Sequence, residues 1–264
     1  MGEELIIRDV WAHNLEQEMH IIADLLEDYP YIAMDTEFPG VIAHPAGTFP
    51  SKDAYHYQLM RCNVDYLKII QIGITLGDGH GNFPTPCCTW QFNFKFNLDE
   101  DIYTTPSIEL LRISGIDFNR FSTDGISVFN FSQLLYTTGL VMNEDITYIT
   151  FHSSYDFGYL IKMLTCKPLP AEETEFYELM RVFFPHFYDL KLIAENIEQV
   201  TAAGLQALAN EFNVVRVGPQ HQAGSDALIT LKTFTALMKT YFNGNLVSPE
   251  NENKLYGICE SQQS

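Results

Sequence analysis

A short apolar stretch that ends in two acidic residues constrains this chain more than any other feature. It reads YIAMDTEFPG at residues 31–40. Its first six residues mostly favour β structure and the Pro-Gly pair ends the run, so the pattern predicts a short buried strand. Because side chains alternate across a strand, Asp35 and Glu37 are expected to point to the same face.

Two carboxylates at the end of a buried strand raise the free energy of the folded chain unless a positive charge lies between them. A divalent metal ion is the commonest solution, because hard cations bind carboxylate oxygens. The chain holds 34 acidic residues, however, so an Asp-x-Glu triplet also arises by chance, and most such triplets are solvated. On this stretch alone, a metal site and a solvated acidic pair both stay open.

Length and composition indicate one large domain. The chain has 264 residues, of which 46% are apolar, with 19 Phe and 14 Tyr available for a core. Five cysteines form no C-x-x-C pair, and their odd number favours reduced thiols. No basic, apolar signal region begins the sequence, and no apolar run approaches the roughly 20 residues of a membrane span. We therefore expect a soluble protein of a reducing compartment, the cytoplasm first and the nucleus second.

The net charge of -19 argues against one class of function when it is taken alone. A protein that holds nucleic acid by itself usually has a basic surface. Here Lys and Arg total only 15, against 34 acidic residues. Any nucleic-acid contact is therefore expected to be short.

The apolar periodicity predicts one α/β domain with a mixed sheet over residues 1–245. Residues 14–17 resemble a capping box at the start of the first helix. The glycine-rich run at 77–82 lacks a following Lys-Ser/Thr pair, so it predicts a hairpin connection and not a phosphate loop. The composition turns polar after residue 249, and we expect 246–264 to be a disordered tail. The predicted helices are 14–27, 55–65, several pieces in 107–140, 154–164, 171–184, 204–212 and 223–242, and the predicted strands are 31–36, 68–76, 88–94, 145–151 and 186–190.

Two further acidic residues and one histidine stand at the ends of predicted elements. Asp156 lies in the first turn of a predicted helix, where the helix dipole by itself would favour a carboxylate. Of the eight histidines, only His221 has an Asp five residues later, at Asp226. Five residues turn about 140° around a helix, so the pair cannot face one way from within it. Gly218 and Pro219 place His221 on a mobile loop, with Asp226 on the helix.

These residues together match the needs of phosphodiester hydrolysis. In-line hydrolysis requires an activated water and charge relief at the leaving oxygen, which two metal ions about 3.5–4 Å apart supply. Four carboxylates can balance two divalent ions, and a loop histidine can accept the proton of the water near neutral pH. The candidate metal ligands are Asp35, Glu37, Asp156 and Asp226, and the candidate catalytic set adds His221.

This pattern resembles the DEDD exonucleases, in the subgroup that carries His in place of Tyr. More narrowly, the chain is similar from Leu15 to Phe242 to the Caf/Pop deadenylases, which are catalytic subunits of the Ccr–Not complex. The resemblance is carried by five runs: MDTEFPG at 34–40, LKIIQ at 67–71, TWQFNF at 89–94, FHSSYDFGYL at 151–160 and HQAGSD at 221–226. One position departs from the family pattern, because Ser154 stands where a Gly is expected, before Asp156.

The resemblance implies a ribonuclease H-like fold and 3′-to-5′ removal of poly(A) with release of 5′-AMP. It implies two divalent ions, Mg2+ first and Mn2+ second. It also implies docking onto the large Not scaffold subunit and onto a second nuclease subunit. Two rival functions stay open at this point: a catalytically inactive scaffold of the same fold, and a related DEDD exonuclease that acts on another nucleic acid.

Overall fold

The computed structural model describes residues 6–245 and 250–258. Within this part of the chain, six strands form a single sheet in the order β1-β4-β3-β2-β5-β6. The strands are β1 (Ile6–Val10), β2 (Tyr31–Glu37), β3 (Gln71–Gly77), β4 (Cys87–Asn93), β5 (Thr147–Thr150) and β6 (His186–Asp189). The helices are α1 (Leu15–Leu25), α2 (Lys52–Tyr66), α3 (Thr105–Ile113), α4 (Phe118–Asp124), α5 (Val128–Thr137), α6 (Ser154–Thr165), α7 (Glu173–Phe183), α8 (Leu190–Glu195), α9 (Leu205–Glu211) and α10 (Ala223–Tyr241).

The sheet is mixed. Strand β3 pairs antiparallel with β2 and β4, while β1 pairs parallel with β4 and β5 pairs parallel with β2 and β6. The predicted hairpin between β3 and β4 is confirmed, and in its connection the Asp78 carboxylate accepts the N–H groups of His80 and Asn82. The prediction of an α/β fold with a mixed central sheet is confirmed, and it is the ribonuclease H-like arrangement that the resemblance implied.

Helices cover both faces of the sheet, and the alternation along β2 decides which residues face which helix. Met34 belongs to the large core under α1, α2, α5, α6 and α7. Ala33 belongs to the core on the opposite face, under α8, α9 and α10. Asp35 lies directly across from Gly73 of β3, and Gly73 abuts the first residues of α10. Asp35 and Glu37 therefore share the α10 face, as the alternation predicted.

Two elements and one cap differ from the sequence predictions. The short strand β1 was not predicted, and neither was the six-residue helix α8. The prediction of a capping box at the start of α1 is wrong, because the Asn14 side chain makes no hydrogen bond to the first turn of the helix. Asn14 bonds backward, since its Oδ1 accepts the N–H of Trp11 and its Nδ2 donates to the carbonyl of Asp9.

The prediction of a disordered tail over 246–264 is wrong for residues 250–258. Leu255 and Ile258 are each only 1% exposed and join the main core. The N–H of Asn253 donates to the carbonyl of Phe187 at 2.9 Å, which ties this segment to β6. Residues 246–249 and 259–264 lie outside the described part of the chain.

Two further features bear on the setting of the protein. Cys62, Cys88 and Cys166 are free thiols, while Cys259 lies outside the described residues. Among the helices described, none combines the length and the apolar character that a membrane crossing needs.

Candidate active site

The carboxyl end of β2 carries the first two acidic side chains of the site. Asp35 and Glu37 both line a cavity of about 370 Å3 at this edge of the sheet. The same cavity is lined by His221 and Asp226. Strand β2 thus brings its acidic pair to the residues of the HQAGSD run, which lie almost two hundred positions later in the chain.

A glycine lets α10 approach the sheet at this point. A Cβ atom on Gly73 would lie 1.9 Å from the carbonyl oxygen of Ala223 and 2.6 Å from the nitrogen of Gly224. Real side chains do not tolerate such distances, so only glycine fits. Because Gly73 is the direct cross-strand partner of Asp35, this close approach sets how near Asp226 comes to Asp35.

Two glutamines of the sheet hold the first turn of α10 in place. The first N–H groups of a helix have no partner within it. Gln71 Oε1 accepts the N–H of Ala223 at 3.3 Å, and Gln91 Oε1 accepts the N–H of Gly224 at 3.0 Å. Both glutamines also donate to Gln222 Oε1, at 3.1 and 2.9 Å. Strands β3 and β4 therefore fix the position from which Asp226 projects.

The backbone of His221 is fixed on both sides. Its N–H donates to Asp226 Oδ2 at 3.0 Å, and its carbonyl accepts from Ser114 Oγ at 2.8 Å. It has a φ of +62°, an uncommon conformation outside glycine that is often kept at functional sites. The prediction placed His221 on a mobile loop, whereas these bonds hold it at the entrance to α10.

The donor set fits a divalent cation. Ligand atoms of Glu37, His221 and Asp226 all lie within 4.8 Å of one another. Carboxylate oxygens are the protein ligands that Mg2+ and Mn2+ prefer. Asp35 lines the same cavity, so a second cation would find a further carboxylate beside the first group. The site is therefore built from residues that can hold divalent ions.

Asp156 lies on helix α6, which packs on the opposite face of the sheet from α10. It lies in the first turn of α6 and is 7% exposed. Among the described residues it belongs neither to the compact ligand group nor to the lining of the cavity. Its charge nevertheless acts on Asp35 and Glu37 and raises the pKa of each. Ser154, the departure from the family pattern, is the first residue of α6 and leaves that turn helical.

The chain was compared with known proteins. The sequence profile of the CAF1 family ribonuclease matches residues 10–134 and 138–234. The chain belongs to the CAF1 family of ribonucleases. It is 53% identical over 252 residues to the poly(A) ribonuclease pop2 of Schizosaccharomyces pombe, a match that covers 96% of this chain and 75% of that protein.

Solved structures agree with this assignment. The structure of S. pombe Pop2p in its Mg2+- and Mn2+-bound form superposes with a TM-score of 0.93 at 52% identity, covering 96% of this chain and 99% of that one. Yeast CAF1 co-crystallised with the NOT1 MIF4G domain superposes with a TM-score of 0.81 at 36% identity, covering 95% and 96%. The resemblance stated from the sequence motifs is confirmed.

The electrostatics of this CAF1 family site are those of crowded acids. Burial, followed by the charges of Asp226, Asp156 and Glu37, raises the pKa of Asp35 well above its usual range. Burial and the charges of Asp226 and Asp156 do the same for Glu37. Burial raises the pKa of Asp156 to about 7. Bound cations would relieve this repulsion, which supports the metal-site interpretation.

Arg216 is a residue of the site that the sequence reasoning missed. Its Nη1 donates to Asp226 Oδ1 at 2.5 Å and to Ser225 Oγ at 2.9 Å, and its Nε donates to Gln206 Oε1 at 2.5 Å. The guanidinium partly offsets the effect of burial on the pKa of Asp226. No sequence pattern marks it, since it stands in the apolar run VVRV at 214–217.

Proposed function

We propose that this CAF1 family ribonuclease is a 3′-to-5′ poly(A)-specific exoribonuclease that releases 5′-AMP. One observation carries the proposal: Glu37, His221 and Asp226 place ligand atoms within 4.8 Å of one another in a cavity that Asp35 also lines. The name of the S. pombe relative, a poly(A) ribonuclease, supports the choice of substrate.

Four carboxylates would hold the two divalent ions: Asp35, Glu37, Asp156 and Asp226. When bound, such ions make a water more acidic and stabilise negative charge on the leaving oxygen. The chain itself holds these ligands in a fixed arrangement. Gln71 and Gln91 set the start of α10, and both oxygens of Asp226 are oriented, one by Arg216 and the other by the N–H of His221.

His221 is suited to accept a proton from the attacking water. Its backbone is fixed by Asp226 and Ser114, while its imidazole lines the cavity and stays partly accessible. Imidazole is the side chain that enzymes use most often as a general base. We assign His221 this role rather than that of a permanent metal ligand.

The acidic surface supports a division of labour with partner proteins. With 15 basic and 34 acidic residues, the chain can neutralise few phosphates beyond the site. An exonuclease needs to hold only the last nucleotides of its substrate. We propose that a large Not scaffold subunit and a second nuclease subunit supply the remaining grip on the messenger RNA, and the yeast CAF1 that crystallised with NOT1 supports the scaffold part.

The free thiols of Cys62, Cys88 and Cys166 in the described chain support a reducing compartment, and we propose the cytoplasm, with the nucleus as a second location.

Digestion of matched oligonucleotides tests the proposal. Purified protein should shorten oligo(A) from its 3′ end in Mg2+, release 5′-AMP and stop on addition of EDTA, while Asp35→Asn should be inactive in the same preparation. Oligo(U) and oligo(dA) of equal length should be degraded much more slowly. Equal rates on all three would favour a related exonuclease with another substrate. No cleavage of any of them would favour an inactive scaffold.

A further inference from the structure

Asp189 is a buried carboxylate near the site to which the catalytic scheme gives no role. It is the last residue of β6 and has no exposed surface. Its Oδ1 accepts the N–H groups of His152 at 2.8 Å and Lys191 at 3.1 Å. Its Oδ2 accepts those of Ser153 at 3.3 Å and Tyr256 at 3.1 Å. One side chain thus gathers four N–H donors from three separate segments.

This arrangement requires a carboxylate. Capping a helix as short as α8 uses only one acceptor, the one that binds the N–H of Lys191. A carboxylate has two oxygens with about four acceptor positions, whereas the amide of an Asn has one oxygen and would turn two donor hydrogens toward the N–H groups. A buried charge persists when its oxygens are fully hydrogen-bonded. The four donors therefore account for an acid at this position.

Two of the four donors belong to the turn that leads into α6. His152 has a φ of +58°, an uncommon conformation for a residue other than glycine. Within the same turn, the hydroxyl oxygens of Thr150 and Ser153 lie 2.6 Å apart. Asp156 follows in the first turn of the helix. The bonds to Asp189 therefore hold an uncommon backbone conformation immediately before a candidate metal ligand.

The fourth donor belongs to the C-terminal segment, defined here as residues 250–258. The ring of Tyr256 packs edge-on against His152, with centroids 4.9 Å apart, and lies 4.3 Å from Lys191 Nζ. Tyr256 therefore contacts both neighbouring segments whose N–H groups Asp189 accepts.

The C-terminal segment is anchored independently of Asp189. Asn253 exchanges hydrogen bonds with Phe187 and also donates from Nδ2 to the carbonyl of Pro185. Leu255 is buried in the main core, and the carbonyl of Ile258 accepts from the hydroxyl of Tyr177 at 2.8 Å. These anchors fix the position of the Tyr256 N–H, which donates to Asp189. The C-terminal segment therefore helps to hold Asp189, which in turn holds the turn before α6.

We propose that Asp189 is a positioning residue for the nuclease site, and that the C-terminal segment completes its hydrogen-bond set and so helps to aim Asp156. The proposal rests on the assignment of Asp156 as a metal ligand under the proposed function. Under this proposal the C-terminal segment, which carries none of the family motifs, also supports metal binding. Partners that orient metal ligands typically change metal affinity or activity by about 10–100-fold when they are removed.

The test compares full-length variants by Mn2+ titration without RNA, by steady-state cleavage of oligo(A) in saturating Mg2+, and by thermal unfolding. Asp189→Asn keeps the size of the side chain and removes its charge and half of its acceptors. We expect Mn2+ affinity and kcat each to fall about 10–100-fold, with little change in KM. Glu252→Gln is the matched control, since Glu252 belongs to the same C-terminal segment but contacts His186 of β6 and makes no hydrogen bond to Asp189. It should behave as wild type.

A second variant keeps the proposal testable if Asp189→Asn does not fold. Leu255→Ala loosens the C-terminal segment and leaves Asp189 intact, and it should weaken Mn2+ binding in the same direction but less. Wild-type Mn2+ affinity and kcat in a folded Asp189→Asn protein would overturn the proposal, because Asp189 would then support the fold alone. Wild-type Mn2+ affinity in Leu255→Ala would overturn the role of the segment. Failure of the wild-type chain to cleave oligo(A) would overturn the proposed function and leave the Mn2+ comparison interpretable.

Discussion

Replacing Gly73 by Ala should move Asp226 away from Asp35 without changing any of the candidate ligands themselves. The added Cβ would lie 1.9 Å from the carbonyl oxygen of Ala223. A carbon–oxygen contact is normally about 3.3 Å or longer, so the start of α10 would have to retreat by about 1.4 Å. That movement would weaken the hydrogen bonds from Ala223 and Gly224 to Gln71 and Gln91 and would carry Asp226 away from Asp35.

The size of both effects follows from this displacement. Overpacking of this kind destabilises a protein by about 1–3 kcal/mol, which a large domain tolerates at 25 °C. A misplacement of about 1 Å at a catalytic group can reduce the rate about 10²-fold. We therefore expect Gly73→Ala to stay folded, to lose about 10²-fold or more of its turnover, and to bind Mn2+ more weakly.

Gly77 on the same strand provides a matched control. A Cβ there would meet the end of the flexible Leu231 side chain at 2.9 Å and the carbonyl of Asn82 at 3.2 Å, away from the start of α10. Gly77→Ala should therefore reduce stability and leave oligo(A) turnover close to wild type. The assay is 5′-AMP release from oligo(A) in saturating Mg2+, with urea unfolding of each protein. Near-normal turnover in Gly73→Ala would show that the close approach of α10 to β3 does not set the geometry of the site.

Three further predictions concern protonation, the general base and RNA binding. Burial raises the pKa of Asp156 to about 7 in the folded chain, whereas an unfolded Asp has a pKa of about 3.9. In EDTA, the free energy of unfolding measured in urea should therefore fall as pH rises from about 4 to about 7, because the folded chain binds this proton more tightly. Asp156→Asn should flatten this decline. His221→Ala should lose about 10²–10⁴ in turnover near neutral pH, recover partly at high pH and keep its Mn2+ affinity, whereas unchanged turnover with weaker Mn2+ binding would make His221 a ligand. Titration of Asp35→Asn with fluorescent oligo(A) across a salt series should give a slope no steeper than about -3, equivalent to about four phosphates, and a much steeper slope with affinity that climbs with length would reveal an extended RNA track.

The elements that could be predicted are those whose side chains repeat with a clear period. The alternation in β2 predicts that Asp35 and Glu37 share one face, and the structure shows that face turned to α10. The helix that carries Asp226 was also predicted, from apolar spacing. In both cases one face of the element is buried, and this burial produces the periodic spacing of apolar residues from which the element was predicted.

The elements that could not be predicted depend on partners far along the chain. Strand β1 has only five residues, including Arg8 and Asp9, and it exists because it pairs in parallel with β4. The C-terminal segment is polar on average, yet Leu255 and Ile258 anchor it in the core. Average composition indicated disorder there because it gives two well-placed apolar side chains little weight.

The same limit applies to the residues that support the site. Gly73 reads as an ordinary glycine within an alternating strand, and its importance depends on which helix lies over it. Arg216 stands among valines, and its role depends on Asp226 being its neighbour in space. Gln71 and Gln91 lie within the family motifs, but nothing in the sequence states that their side chains cap α10. Sequence spacing could predict candidate ligands by their chemistry but not the residues that position them.

The number of Mn2+ ions bound per chain tests the central claim most directly, because that claim is that carboxylates from both faces of the sheet form one two-ion site. Equilibrium titration followed by electron paramagnetic resonance should show two ions on the wild-type chain. Asp35→Asn, which keeps the size of the side chain and removes its charge, should lose most of this occupancy while its circular dichroism stays unchanged. Two ions bound to Asp35→Asn with wild-type affinity would contradict the account and place the metal site elsewhere.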